Sequence, residues 1–234
     1  MIHQPDQKKM AQRHFHKSPK RIGLVADSHG NLEAMLECVR RLNNLSVDSL
    51  IHLGDIFDSL HTDNLIRTVE AIEQNGIYPV KGNNDYQIEK MLANGYLPDL
   101  AAGSKKKIIS FLEQMPMKLV DNDICFTHSL PFDSVRSFYE PVDTGFTDRA
   151  EQIFNQTSYH TIFCGHSHTP VLFRWRSGTI TRENIGVKEK VFLNPSERYI
   201  IIVGSADGGE CGFFDSEQKY YERICISCNE DRES

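Results

Sequence analysis

The chain has 234 residues, a formal net charge of −6 and six cysteines. A chain of this length can bury a substantial core as one domain without disulfides or a structural metal. The acidic balance argues against a long nucleic acid as a partner. The scattered cysteines form no disulfide framework, so reduced thiols in the cytoplasm are expected.

The two ends of the chain differ in composition from the middle. Residues 1–20 are polar and basic and contain no sustained apolar core. They fit neither a signal peptide nor a membrane span, so we predict a flexible polar tail and no membrane association. Solvated side chains explain its histidines better than a weak metal site does; these are His3, His14 and His16. We predict a single domain over residues 21–228 and a frayed polar tail over residues 229–234.

Apolar runs and amphipathic segments alternate in the first part of the chain. The runs that predict strands there are residues 21–26, 49–53 and 77–81. Apolar residues recur at helical spacing over residues 32–42, which Asn31 can cap, and again over residues 65–74. The later strand-like runs are residues 124–126, 161–164, 171–176, 190–193, 199–203 and 220–226. This order fits two mixed sheets with helices outside.

Two later segments are harder to interpret. Residues 136–154 have an irregular helical pattern that breaks at residues 141–145. Cys225 and Cys228 form an isolated C-x-x-C in an alternating apolar run. One such pair without nearby histidines is a weak zinc signal, so strand packing is the preferred interpretation.

Metal-binding residue types follow five of the apolar runs. The fragments are Asp27-Ser28-His29, Gly54-Asp55-Ile56-Phe57-Asp58, Gly82-Asn83-Asn84-Asp85, Thr127-His128 and Gly165-His166-Ser167-His168. Each fragment alone is typical of a turn or a helix cap. Ligands of open α/β sheets bind outside the carboxyl ends of the strands, so the five fragments can converge. Carboxylate, imidazole and amide groups without a thiolate suit divalent first-row cations. The sequence therefore predicts a binuclear metal site for hydrolysis.

These motifs resemble those of the calcineurin-like metallophosphoesterase superfamily, in particular its small bacterial and archaeal phosphodiesterase branch. The resemblance extends over residues 27–34 and 165–170 and over Leu193-Asn194-Pro195-Ser196. It implies an α/β fold, a four-layer α-β-β-α sandwich of two mixed sheets flanked by helices. It also implies two divalent metal ions. Manganese is the first expectation, and iron, zinc, nickel and cobalt are the alternatives.

Carried over by position, the resemblance implies a division of ligands between the metals. The first metal would be held by Asp27, His29 and His168, the second by Asn83, His128 and His166, and Asp55 would bridge them. A shared carboxylate can hold two cations about 3.5 to 4 Å apart, which suits in-line attack by a bridging hydroxide. We expect Gly165 to supply the backbone freedom that turns both neighbouring histidines toward the site.

One position departs from the family pattern. Many members carry a histidine directly after the metal-binding asparagine, where it can protonate the leaving group. Its partner is the aspartate that ends the Gly-Asp-x-x-Asp motif. That aspartate is Asp58 here, but Asn84 takes the place of the histidine. An amide can donate a hydrogen bond to a phosphoryl oxygen but cannot deliver a proton. We therefore predict Asp58 and Asn84 as catalytic residues, with Asn84 also binding substrate and better leaving groups favoured.

Substrate recognition is less clearly encoded. Residues 129–139 follow a predicted ligand and are aromatic, with a single arginine, Arg136. One interpretation is a lid in which Arg136 binds a phosphate oxygen while Phe138 or Tyr139 stacks on a ring. The preferred interpretation is that these aromatic side chains pack onto the sheet.

The resemblance implies a metal-dependent phosphoric ester hydrolase, and the expectation of reduced cysteines places it in the cytoplasm. A phosphodiesterase that acts on a small phosphate ester or nucleotide is the first expectation. A phosphomonoesterase or phosphoprotein phosphatase is the alternative. A non-catalytic scaffold is third, because all seven ligand positions are intact. Neither long nucleic acid nor a membrane is expected as a partner, and a homo-oligomer is compatible with the sequence.

Overall fold

The computed structural model describes residues 18–97 and 100–226. The helices in this part of the chain are α1 (Leu32–Asn44), α2 (Leu65–Gln74), α3 (Asn83–Ala93), α4 (Ala102–Gln114), α5 (Arg136–Tyr139) and α6 (Asp148–Gln156). The strands are β1 (Arg21–Val25), β2 (Ser49–His52), β3 (Tyr78–Pro79), β4 (Lys118–Asp121), β5 (Ile124–Thr127), β6 (Thr161–Cys164), β7 (Val171–Arg176), β8 (Thr179–Asn184), β9 (Lys190–Phe192), β10 (Arg198–Ile202), β11 (Glu210–Asp215) and β12 (Tyr220–Cys225).

The strands form two mixed sheets of six strands each. Sheet A has the order β3-β2-β1-β11-β12-β9, and sheet B has the order β4-β5-β6-β10-β7-β8. The strands β1, β2 and β3 are parallel, and β11 runs antiparallel to β1. In sheet B, β5, β6 and β10 are parallel. Since parallel strands end at the same edge of a sheet, the loops that follow them lie close together.

Apolar side chains form three clusters between four layers. Alternate residues of β1 and β6, such as Leu24 and Phe163, belong to a cluster that joins the two sheets. Val25 points the other way, into the cluster that packs helices α1 to α4 on sheet A. Ile162 likewise belongs to the cluster shared by α6 and sheet B. The period-two alternation of strands accounts for this division. The predicted four-layer sandwich of two mixed sheets is confirmed.

The structure contains every predicted strand and both predicted helices, and it adds elements that the sequence pattern did not reveal. These additional elements are α3, α4, β4, β8 and β11. Helix α3 begins inside a ligand motif, so its polar first turn hides the helical period. Strand β8 is an edge strand whose one apolar residue, Ile180, is only partly buried against the core. The irregular segment at residues 136–154 resolves into α5 and α6, which lie on either side of the expected break.

Much of both predicted tails falls outside the described residues, as do His3, His14, His16 and Cys228. Within residues 18–20, the Ser18 hydroxyl donates to the Asp121 carboxylate at 2.8 Å, so this stretch contacts the domain. Cys225 ends β12, as strand packing predicts, but it is disulfide-bonded. The expectation of reduced thiols is wrong for this residue. None of the described helices is both long and apolar enough to cross a membrane.

The cluster between the sheets should dominate stability. Phe163 is fully buried, and its ring lies 5.6 Å from that of Phe126 and 5.0 Å from that of Phe214. We expect Phe163→Ala to lower the free energy of unfolding by about 3–5 kcal/mol, because it leaves a cavity between the sheets. Phe146→Ala is the control, since this ring is 74% exposed and should contribute little. Urea denaturation measures both, and equal losses would contradict the assignment of the core.

Candidate metal centre

The five ligand fragments lie at the carboxyl ends of β1, β2, β3, β5 and β6. Backbone hydrogen bonds hold the first two loops side by side, with Asp27 N donating to Gly54 O at 3.0 Å and His29 N donating to Asp55 O at 3.0 Å. Sheet B is joined to them by His166 N, which donates to Asp27 Oδ2 at 2.9 Å. The structure thus brings together the fragments that the sequence singled out.

Five of the seven predicted ligands have a left-handed backbone conformation. Their φ angles are 51° at Asp27, 45° at His29, 53° at Asp55, 68° at His166 and 56° at His168. For residues with a side chain this conformation costs about 1–2 kcal/mol each. Such strain persists only where surrounding contacts hold it, and it concentrates at functional sites. The loops are therefore shaped to aim these side chains.

The first group of ligand atoms surrounds the Asp27 carboxylate. His29 Nε2 and His168 Nε2 lie 3.0 Å apart, and His168 Nε2 lies 3.7 Å from Asp27 Oδ1. Asp27 Oδ1 is buried and has no hydrogen-bond partner among the described residues. A buried carboxylate oxygen without a donor is costly, and a cation between these three side chains would satisfy it.

The second group contains Asn83, His128 and His166. His128 Nε2 lies 2.9 Å from Asn83 Oδ1 and 3.1 Å from His166 Nδ1, and the Asn83 and His166 atoms lie 3.0 Å apart. The other ring nitrogen of His128, Nδ1, is 3.0 Å from Leu53 O. Because Nδ1–H donates to that carbonyl, the Nε2 lone pair faces inward. Three lone pairs converge when the Asn83 oxygen points to the histidines, which is the arrangement that a cation requires.

Asp55 lies between the two groups. Its Oδ1 is 3.5 Å from His128 Nε2 and accepts a hydrogen bond from Asn84 N at 2.8 Å, whereas its Oδ2 accepts from Asn84 Nδ2 at 2.7 Å. Burial acts to raise the pKa of Asp55, but His128 and the two Asn84 donors outweigh it, so the pKa is lowered. Asp55 therefore stays ionised and keeps the negative charge that binding a cation would require.

The charges of the site favour a cation. Burial, with the Asp55 charge as the next contribution, raises the pKa of Asp27 well above its usual range. Burial also lowers the pKa of His166 to about 4, so its lone pair is free at neutral pH. Two neighbouring buried carboxylates and the surrounding imidazole rings form an oxygen and nitrogen donor set that suits divalent first-row metals. The residues present thus fit the metals that the sequence implies.

Two glycines permit close approach at this site. A Cβ atom at Gly165 would collide with the Asp27 carboxylate, and one at Gly82 would collide with the Asp55 carboxylate. The expected role of Gly165 as a source of backbone freedom is wrong, because its φ is not in the left-handed region whereas those of His166 and His168 are. Gly165 is required here because a side chain would displace a ligand.

Sequence reasoning gave no role to Asp85, although it organises the site. Its buried carboxylate accepts from the backbone N–H groups of Asp55 at 2.9 Å, Ile56 at 3.0 Å, Phe57 at 3.1 Å and Gly82 at 2.9 Å. Burial and then the Asp55 charge raise the pKa of Asp85 to about 7. The available signal was its position in the first turn of α3, three residues after Gly82.

The two predicted catalytic residues have separate partners. The Asn84 amide donates to Asp55, and its Oδ1 accepts from Ser59 Oγ at 2.7 Å. Asp58 Oδ2 is 2.7 Å from His61 Nδ1, and Asp58 Oδ1 accepts from Leu60 N at 2.7 Å. The sequence gave no role to His61. A signal was nevertheless present, because His61 lies three residues after Asp58, the aspartate that the family pattern pairs with a histidine.

The aromatic segment after His128 divides into buried and exposed parts. Phe138 is buried, and its ring lies 5.8 Å from that of Tyr86, which fits packing onto the fold. Arg136 is exposed and pairs with Glu140 at 2.5 Å. Tyr139 is 47% exposed, and its pKa is raised by burial, by Tyr86 and by the charge of Asp55. Tyr139 therefore lies within electrostatic reach of the ligand cluster.

Comparisons with known proteins agree with this geometry. Residues 21–202 match the family model described as the calcineurin-like phosphoesterase superfamily domain. An uncharacterized protein of Methanocaldococcus jannaschii is 26% identical over 196 residues, which cover 79% of this chain and 75% of that protein. A metallophosphoesterase from Sphaerobacter thermophilus shares the fold with a TM-score of 0.68 at 21% identity, covering 89% of both chains. A hypothetical protein from Pyrococcus horikoshii has a TM-score of 0.60 at 15% identity, covering 90% of this chain and 89% of that one.

The ligand groups predict which metal each histidine holds. We expect His128→Ala and His166→Ala to empty mainly the second site, and His29→Ala and His168→Ala to empty mainly the first, because each pair belongs to a different cluster. Metal content and anomalous scattering of crystals would show the occupancy of each site. His160→Ala is the control, since His160 bonds to Thr161 and the Asn194 carbonyl instead. Loss of only the first metal in His128→Ala would overturn this division.

Asp85 should matter for metal affinity without touching a metal. Asp85→Asn places an amide N–H₂ against backbone N–H groups, which loosens the turn that presents Asp55. Substitutions of such supporting groups typically weaken metal binding by about 10- to 100-fold. Calorimetric titration with Mn²⁺ measures the change, with Asp63→Asn as a control that removes an exposed carboxylate. Unchanged affinity in Asp85→Asn would contradict the supporting role.

Proposed function

Because the chain belongs to the calcineurin-like phosphoesterase superfamily, we propose that it is a binuclear metal-dependent phosphodiesterase that acts on a small phosphate ester or nucleotide. The observation that carries this proposal is the convergence of ligand atoms around Asp27 and Asp55, where a buried carboxylate oxygen lacks a donor among the described residues. A family of phosphoesterases and a cluster of Asp and His side chains support hydrolysis of a phosphate ester.

In this proposal two metals, manganese first, occupy the ligand groups described above. Asp27, His29 and His168 hold one, Asn83, His128 and His166 hold the other, and Asp55 is shared. Bound metals would supply Lewis acidity toward the phosphoryl group and a water molecule of lowered pKa. The protein fixes the ligand geometry through the strained loops and the Asp85 carboxylate.

The side chains around the ligand groups position the substrate. Asn84 has a second amide hydrogen besides the one that it donates to Asp55, and in this proposal that hydrogen binds a phosphoryl oxygen. Tyr139 presents a half-exposed ring within electrostatic reach of Asp55, where an aromatic ring of the substrate, such as a nucleobase, can stack. Arg136 would first have to leave Glu140 before it binds a phosphate. A substrate with an aromatic group is therefore favoured.

The need to protonate the leaving group bears on the choice between diester and monoester substrates. Asn84 stands where many relatives place a histidine, and an amide cannot protonate the departing oxygen. Its remaining hydrogen bonds, to Asp55 and Ser59, are structural. A diester with a good leaving group needs the least help at this position. A phosphomonoesterase or phosphoprotein phosphatase is the alternative that the experiment below distinguishes.

We expect the manganese-loaded protein to hydrolyse bis(p-nitrophenyl) phosphate faster than p-nitrophenyl phosphate, which has the same leaving group. Removal of metal by a chelator should abolish both rates, and Mn²⁺ should restore them. Asp55→Asn should reduce turnover to the background rate, because the shared ligand loses its charge. Asp63→Asn is the matched control for loss of a carboxylate. Unimpaired turnover by Asp55→Asn with unchanged metal content would refute the two-metal centre. Faster hydrolysis of the monoester than of the diester would instead favour the phosphomonoesterase alternative.

A further inference from the structure

The exposed pair formed by Asp58 and His61 lies in the loop between β2 and α2. His61 Nδ1 is 2.7 Å from Asp58 Oδ2, and the Asp58 side chain is 20% exposed whereas that of His61 is 78% exposed. The carboxylate is thus anchored in the loop while the ring projects into solvent. Because Nδ1–H donates to Asp58, Nε2 is the ring nitrogen that faces outward.

The pair flanks the first group of ligand atoms. Gly30 follows His29 directly, and Gly30 N donates to Ile56 O at 2.8 Å. A Cβ atom at Gly30 would lie 3.7 Å from Asp58 N and 3.8 Å from His61 O. The loop that carries His61 therefore packs against the loop that carries His29, at the rim of the metal centre.

The groups that face His61 favour its charged form. The hydrogen bond to Asp58 and the Asp58 charge raise the pKa of His61, burial opposes this effect, and the charge of Asp63 adds to it. Burial acts to raise the pKa of Asp58, but His61 and Leu60 N outweigh it, so the pKa is lowered. Raising the pKa of a histidine from 6.5 keeps more imidazolium at neutral pH, so a proton is available on the solvent-facing nitrogen.

We propose that His61 protonates the leaving oxygen of the phosphate ester, in place of the histidine that Asn84 replaces. This inference rests on the proposed phosphoesterase function. A water oxygen forms the new bond to phosphorus as the bond to the leaving oxygen breaks. The Nε2 proton of His61 passes to that oxygen, which departs as an alcohol. The water gives its proton to solvent, and neutral His61 regains one from solvent. Asp58 is the positioning residue that orients the ring.

A purely structural role for the pair makes different predictions. Asp58 also accepts from Leu60 N, so the same contacts could serve only to fix the loop. A structural pair would affect stability and all substrates alike. A proton donor would instead change how the rate depends on the leaving group and on pH.

The first test measures the imidazole directly. Nitrogen and proton NMR of the zinc-loaded full chain would give the tautomer and the pKa of His61. We expect Asp58→Asn to lower that pKa more than Asp63→Asn does, since both remove one charge from the same loop but only Asp58 bonds to the ring. Equal shifts in the two variants, or an Nδ1 nitrogen that carries no proton in the neutral ring, would overturn the pairing on which the proposal depends.

The second test compares leaving groups. A series of phosphodiesters with the same retained group and with leaving groups from p-nitrophenol to an alkyl alcohol would be hydrolysed by proteins with equal metal content. We expect His61→Gln to lower kcat/KM by about 10²- to 10⁴-fold for the alkyl ester and far less for the nitrophenyl ester. The alkaline fall of the wild-type pH profile for the alkyl ester should disappear in this variant.

Leu60→Ala is the loop control, because it removes an exposed side chain beside His61 and no titratable group. It should leave the leaving-group dependence unchanged. If the wild type is active and His61→Gln shows the same dependence of rate on the leaving group, the proposed role of His61 is overturned. The phosphoesterase function would still stand. A metal-loaded wild type that hydrolyses none of the esters would instead overturn the proposed function.

Discussion

The burial of two carboxylates, Asp27 and Asp55, is the constraint on which the centre depends. Removing an ion from water costs several kcal/mol even after the protein relaxes. The surrounding imidazoles do not offset this cost fully, since burial lowers the pKa of His166 to about 4 and keeps it neutral. Asp55 is supported by the two Asn84 donors, but Asp27 Oδ1 finds no donor among the described residues. A cation is the natural counterpart of such an arrangement.

The same constraint explains the local backbone. The predicted ligands leave parallel strands and must turn sharply toward a shared point, and five of them adopt left-handed conformations. Their strain is opposed by the Asp85 carboxylate, which binds four N–H groups of the turns that contain Asp55 and Gly82. The apolar cluster between the sheets fixes the strand ends, so the fold supplies the rigidity that the loops alone lack.

Sequence patterns revealed nine of the twelve described strands, the two helices between the first three of them and the five ligand fragments, because buried strands and amphipathic helices leave clear periods. The remaining features depend on contacts between distant segments. The role of Asp85 is invisible in the sequence, since an acidic residue in a first turn is also a common cap. The approach of Gly165 to Asp27 joins the two sheets, so only the folded chain shows why a side chain is excluded. Family analogy placed Asp58 beside residue 84, whereas the structure pairs it with His61.

Asn84, which stands where many relatives have a histidine, does more than remove a proton donor. The Asn84 amide connects two residues, because it donates a hydrogen bond to Asp55 and accepts one from Ser59. A histidine that donates to Asp55 and accepts from Ser59 would have both ring nitrogens occupied and no proton left for a leaving group. On our proposal the two tasks are separated, so that Asn84 supports the shared ligand and His61 handles protons. The exposed loop suits the second task, because a proton donor must be recharged from solvent after each turnover.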